Sequence, residues 1–230
     1  ANLNGAEFNV AVGNNTLDAI TTADNVTAIG YNAGTALTEG SRLTAVGFEA
    51  GKALTTAIDC TLIGETVGTA ITTGRSNTAL GKFALAGFDA ETHNVGIGVG
   101  AIGGAVNGGE FNVAVGNFTL DALTTADNNV AIGDNAGSAL TTGGENVIMG
   151  SFAVSTGVLT GAQNVAIGRL VGQDLTSATR NVIMGWSAAK QATTGADNVI
   201  IGHDANGTGI LTGASNTIMG ADSAKALTSG

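Results

Sequence analysis

One pattern of apolar and polar positions runs through the chain. Its centre is a five-residue box that closes on glycine, read first at Asn9-Val10-Ala11-Val12-Gly13. It returns as Asn77-Thr78-Ala79-Leu80-Gly81, Asn129-Val130-Ala131-Ile132-Gly133 and Asn181-Val182-Ile183-Met184-Gly185. The closing glycines are Gly13, Gly30, Gly47, Gly64, Gly81, Gly98, Gly116, Gly133, Gly150, Gly168, Gly185, Gly202 and Gly220, which makes 13 copies. They lie 17 residues apart, or 18 after Gly98, Gly150 and Gly202. Residues 7–23 closely match residues 110–126, a mark of tandem duplication.

A unit of this length is too short for a pair of helices but suits one coil of a solenoid. The residue three before each glycine is Val or Thr, and the residue one before it is Val, Ile, Leu or Met. Two such positions share one face of a strand, because side chains alternate with period 2. β-branched residues favour that conformation, and glycine permits the turn after it. A second apolar position follows seven residues after most glycines, as at Ile20, Leu37, Leu54, Ile71, Leu123, Leu140, Leu175 and Leu227. A polar Thr-Thr turn usually comes next. The pattern predicts an all-β parallel β-solenoid, or β-roll, of about 13 coils of 17–18 residues, with two short strands and two turns per coil. At ~4.8 Å per coil it would be a rod roughly 60 Å long. Residues 1–230 read as a single repeat domain that starts and stops in mid-pattern, as a segment of a longer fibre would.

The middle residue of each box is expected to face away from the core. It reads Ala11, Ala28, Ala45, Leu62, Ala79, Gly96, Ala114, Ala131, Ile148, Ala166, Ile183, Ile200 and Ile218, with no polar side chain. A strand apolar on both faces is buried on both, and a thin solenoid has one interior. A second surface is therefore required, most simply other copies of the chain. On this reading the trimer interface is formed by Ala11, Ala28, Ala45, Ala79, Ala114, Ala131, Ile148, Ile183, Ile200 and Ile218. Asn four before the glycine, present in 10 of 13 copies, predicts a hydrogen-bonded ladder along the stack. Val26, Leu43 and Cys60 interrupt it.

Composition narrows the function. Glycine supplies 37 residues and proline none, charged residues are 11% and aromatics 4%, yet 43% hydrophobic content is enough for a core. A net charge of −10 argues against nucleic acid and anionic membrane surfaces as partners. The single cysteine excludes a disulfide framework within the chain. No apolar run is long enough for a membrane span.

The unit NVAIGDNAGSALTTG, residues 129–143, resembles the repeats of phage tail-fibre proteins, and related boxes occur in the head domains of trimeric autotransporter adhesins. The resemblance covers the whole chain. It implies a β-roll packed or intertwined as a homotrimeric rod. It also implies an extracellular place, on a virion tail fibre or a cell surface. The chain contains neither the self-cleaving chaperone domain that ends many fibre proteins nor the stalk and anchor of the adhesins.

Candidate chemistry is sparse. Residues 98–103 spell GxGxxG, but Gly98 is the scheduled repeat glycine and no helix signal follows. His93 and His203 have no ligand partners at recognisable spacing. Asp24, Asp127 and Asp197 share an Ala-Asp-Asn context in which stacked turns could gather calcium, though solvated turn acids are the simpler reading. No cofactor, metal or catalytic constellation is expected. The position after each glycine varies most and is read as exposed. There Tyr31 and Phe48 would stack one coil apart, and Trp186 lies one coil from His203. These four are the candidate surface-recognition residues, for a host glycan or protein; covering the coil edge is the plainer reading. The favoured function is a rigid trimeric spacer supporting host-cell attachment. The alternatives are an adhesin head that binds host or matrix surfaces itself, and an ice-binding solenoid built on the recurring Thr pairs.

Overall fold

The computed structural model describes residues 4–225 and 227–229. Among them the regular structure is entirely β-strand, with no helix. The chain forms a parallel β-solenoid and divides into two compact units, Ala1–Phe111 and Asn112–Gly230. The first holds β1 (Val10–Val12), β2 (Val26–Ile29), β3 (Leu43–Val46), β4 (Thr61–Ile63), β5 (Thr78–Leu80) and β6 (Val95–Ile97). The second holds β7 (Val113–Val115), β8 (Val130–Ile132), β9 (Val147–Met149), β10 (Val165–Ile167), β11 (Val182–Met184), β12 (Val199–Ile201) and β13 (Thr217–Met219). Within each unit every strand pairs in parallel with the next, box on box: Ala28 lies opposite Ala45, and Ala131 opposite Ile148.

The sharp coil is made by backbone positions that most residues avoid. Each closing glycine has a positive φ, for instance 138° at Gly30. A Cβ there would sit 2.2 Å from the carbonyl oxygen of Gly47 in the next coil. The position therefore needs glycine twice over, for its dihedral and for the approach of the neighbouring backbone. Two residues later a non-glycine residue turns left-handed, as at Asn32 (φ 54°) and Glu49 (φ 54°). Such a residue costs on the order of 1–2 kcal/mol. The stack offsets it: Asn32 N–H donates to Asn14 O at 3.0 Å, and Glu49 N–H to Tyr31 O at 2.8 Å. A further left-handed residue precedes the Asn slot, as at Asn25, Arg42 and Asp59.

The structure reverses the expected faces of the strand. The middle residues line the interior of the chain's own solenoid: Ala28, Ala45, Ala79, Ala114, Ala131, Ile148, Ile183, Ile200 and Ile218 are all buried. Ala11 belongs to the same row but is exposed in the first strand. Ala11 apart, these residues pack inside the chain's own solenoid and not on its outer face. The two flanking rows point outward. Ala131 is 0% exposed while its neighbour Ile132 is 37% exposed, and Ile183 is 1% exposed beside Met184 at 36%. The physical reason is space. The strand faces an opposite wall carrying Leu37, Leu54, Ile71, Leu123 and Leu140, all buried, and the gap left for the middle residue is small. Volume is traded between coils. A Cβ on Gly137 would lie 2.8 Å from Leu120 Cδ2 and 3.2 Å from Ile148 Cδ1. Glycine in one coil thus makes room for the large side chains of its neighbours.

The second apolar position also differs from expectation. It is buried except at Leu227, which is half-buried, but among the described residues it forms no second named strand; one isolated bridge, Leu140 with Leu159, involves it, and another, Ile58 with Arg75, lies two residues before the Asn slot. Single coil-to-coil hydrogen bonds hold that wall, such as Thr38 N–H to Thr55 O at 3.0 Å and Thr55 N–H to Thr72 O at 2.9 Å.

Candidate functional site

The main candidate is the outer face of the sheet. It carries the Val/Thr row and the aliphatic row that flank the buried middle residues. Neither row contains a charged residue in any of the 13 boxes. Val12, Ile29, Ile63, Leu80, Ile132, Met184 and Met219 are among its exposed members. In a parallel stack the aliphatic row runs unbroken along each unit, while the row beside it is mainly Thr in the first unit (Thr27, Thr44, Thr61 and Thr78) and Val from Val113 to Val199 in the second. A solvated sheet face ordinarily alternates toward polar residues. This one does not, and contiguous apolar surface of that kind marks an interaction site.

Beside it runs the ridge of residues that follow the closing glycines. Tyr31 and Phe48 stack with ring centroids 5.4 Å apart and planes 17° off parallel. Trp186 and His203 stack at 4.7 Å and 17°. Glu65 and Lys82 in the same row form an ion pair at 2.9 Å. The four candidate recognition residues thus fall into two pairs, one in each unit. In each pair the rings turn faces toward one another along the stack. Sugar recognition uses free aromatic faces, and the pairing leaves one face of each ring and its edges.

The other conserved-looking rows serve the stack itself. The Asn slot is buried and forms the ladder expected from its recurrence. From Asn112 to Asn216 in the second unit it is unbroken. Each Asn Oδ1 accepts the main-chain N–H of the next Asn, at 2.9–3.1 Å. Its amide also donates across to the coil above, as from Asn164 to Ala178 O at 2.8 Å. In the first unit Cys60 takes the slot and imitates it: Sγ lies 3.5 Å from Gly74 O, fourteen residues on, where Asn77 reaches Glu91 O. Burial pushes the Cys60 thiol pKa up.

The Thr rows are committed in the same way. The first hydroxyl of the pair donates to the next coil's carbonyl at Thr21, Thr55 and Thr124, and the lone Thr38 in the same row does so too. These hydroxyls are withdrawn from any flat water-facing array. Charged residues form short exposed ladders. Arg42 donates to both carboxylate oxygens of Asp59 through Nε and Nη2, and Arg180 to those of Asp197 likewise. The guanidinium holds each of these carboxyls below its usual range.

The three Ala-Asp-Asn acids do not converge. Asp24 accepts the Glu7 N–H in the first unit, Asp197 is paired with Arg180, and Asp127 lies four coils before Asp197. The GxGxxG segment forms a turn in which Gly103 N–H donates to Gly100 O, with Ala101 and Ile102 buried. It opens no helix that could receive a phosphate. His93 stacks on Phe111 at 4.8 Å. The sequence shows no ligand partner for His203 at recognisable spacing, yet its imidazole comes together with Asp204 and Asp222. The signal for that grouping is register: Asp204 and Asp222 both lie two residues after a closing glycine.

No family model, curated protein or solved structure matches the chain. Among the described residues no helix is long and apolar enough to cross a membrane.

Proposed function

We propose that the chain is a structural spacer in an extracellular fibre, on a virion tail or a cell surface, and that it acts as a homotrimer in support of host attachment. The observation that carries this reading is the outer sheet face, where an aliphatic row with exposed members runs beside a Val/Thr row and neither holds a charge. Other copies of the same chain are the natural cover. They present the same rows at the same inter-strand repeat, so apolar side chains of one copy meet apolar side chains of another along the whole stack. Three-fold association is what the resemblance to tail-fibre and adhesin repeats implies. The seam lies on the flanking rows, with Ile132, Ile167 and Ile201 among its members in the second unit. The role is non-enzymatic: the repeat gives its polar side chains to stacking, in the Asn and Thr ladders.

An adhesin head is the second reading, favoured by the exposed rings of Tyr31, Phe48 and Trp186. Adsorption by the purified segment separates the two. A spacer shows no saturable binding to host cells. Saturable binding that is lost on changing Tyr31, Phe48 or Trp186 to Ala makes the segment the receptor-binding part, with a surface glycan or protein as partner. Ice binding ranks last because the inner Thr hydroxyls are engaged in the stack, and a thermal-hysteresis measurement tests it.

A further inference from the structure

The second unit gathers three metal-ligating side chains on its surface. His203, Asp204 and Asp222 each offer a ligand atom, and these atoms all lie within 4.8 Å of one another. His203 Nδ1 is 3.5 Å from Asp204 Oδ2. The grouping is set by the coil-on-coil backbone. Asp204 N–H donates to Trp186 O at 2.9 Å, and Asp222 N–H donates to His203 O at 2.8 Å. Both aspartates are left-handed, with φ of 50° and 54°. The imidazole is braced on its face by Trp186. Lys225 also belongs to the cluster, with Nζ 2.7 Å from Asp222 Oδ1.

We propose that His203, Asp204 and Asp222 form a binding site for a first-row transition-metal dication of the zinc class. One imidazole and two carboxylates are a zinc-type donor set, whereas calcium and magnesium prefer oxygen ligands alone. Zinc bonds of about 2.0–2.2 Å place neighbouring ligand atoms roughly 3.3–3.5 Å apart in a tetrahedron. The His203–Asp204 pair already has that separation, and Asp222 offers its ligand atom within 4.8 Å of the other two. Water fills the fourth position. The ion would displace the Lys225 ammonium from Asp222, so metal and lysine compete for one carboxylate. It would pin the coil that starts at Gly202 to the coil that starts at Gly220. The site is independent of the trimer and of the spacer reading.

Trp186 is the chain's single tryptophan and stacks on the proposed ligand, so its fluorescence reports binding directly. Zinc is titrated into the full chain in excess calcium and magnesium, with wild type beside His203→Ala and Lys225→Met. The expected result is a saturable Trp186 change at one zinc per chain. Affinity should fall roughly tenfold or more in His203→Ala and rise severalfold in Lys225→Met. The gain in Lys225→Met cannot come from misfolding. Three results would overturn the site: no Trp186 response up to millimolar zinc, equal zinc affinity in wild type and His203→Ala, or no tightening in Lys225→Met.

Discussion

Asn129 Oδ1 accepts two hydrogen bonds from Asn146, one from its main-chain N–H at 2.9 Å and one from its side-chain amide at 3.1 Å. Both residues are fully buried. The pairing repeats through the second unit, so each amide is at once donor to one coil and acceptor for the next. A buried polar row is tolerable only when satisfied in this way.

Asn164→Ala should therefore be costly out of proportion to its size. It strands the Asn181 main-chain N–H, removes one acceptor of the Asn181 amide, which keeps Thr179 O and Gly195 O, and leaves Ala178 O without its side-chain donor. Each stranded buried group costs about 1–3 kcal/mol. The expected effect is a loss of several kcal/mol in urea unfolding. Val26→Ala, at an Asn slot of the first unit that carries no amide, should cost only the ~1–2 kcal/mol of a trimmed apolar side chain. Equal losses in the two variants would contradict a ladder that bears on stability.

Closing glycines covered by a following coil should tolerate no side chain. In Gly133→Ala the new Cβ would lie 2.8 Å from the carbonyl carbon and oxygen of Gly150, at a φ of 133°. Gly108 also has a positive φ, 104°, but nothing lies within 4 Å of its Cβ position. Gly108→Ala should thus cost only the backbone term, about 1–3 kcal/mol, and Gly133→Ala clearly more. Thermal melting of the two variants, side by side, checks the order.

The Cys60 thiol should be slow to react in the folded protein. Its sulfur is buried, and burial raises its pKa, so less thiolate is present at pH 8 than in a free cysteine. A thiol reagent such as DTNB should label it only at the rate of unfolding and completely in denaturant. Prompt stoichiometric labelling of the native chain would contradict its position in the interior. Cys60→Asn should be well tolerated, since an amide there can donate to Gly74 O as the sulfur does.

Much of this architecture was legible in the residues. The closing glycines marked every coil, the recurrent Asn announced its ladder, and the spacing of Tyr31 and Phe48 announced their stack. The faces of the strand were not legible. Val130 and Ile132 are larger and more hydrophobic than Ala131, so they read as core. The interior accepts Ala131 as readily as Ile148 in the same row, so residue size alone does not tell the two faces apart, and Leu123 and Leu140 are also buried there. A usable signal lay four residues after each closing glycine. There Gly34, Gly51, Gly68, Gly137 and Gly172 alternate with Leu85 and Leu120, all left-handed. Large residues in that row accompany small middle residues, as Leu85 does with Ala79, which is a trade of volumes within one core. The cluster at His203 was hidden for another reason. Asp222 is distant in sequence from His203 and comes near only through the register of the last two coils.

On the proposed function, the outer aliphatic row is a seam between copies of the chain. Sedimentation-equilibrium mass of wild type and of the double variant Ile132→Asp/Ile167→Asp tests it most directly, with Ile183→Asp as the control for a core position. Wild type should have the mass of a trimer. The double variant should lose it and become a folded monomer with an unchanged β-type circular dichroism spectrum, because its side chains point outward. Ile183→Asp should unfold instead, since an unpaired charge in the interior costs several kcal/mol. A monomeric wild type, or a double variant that keeps the trimer mass, would contradict the seam.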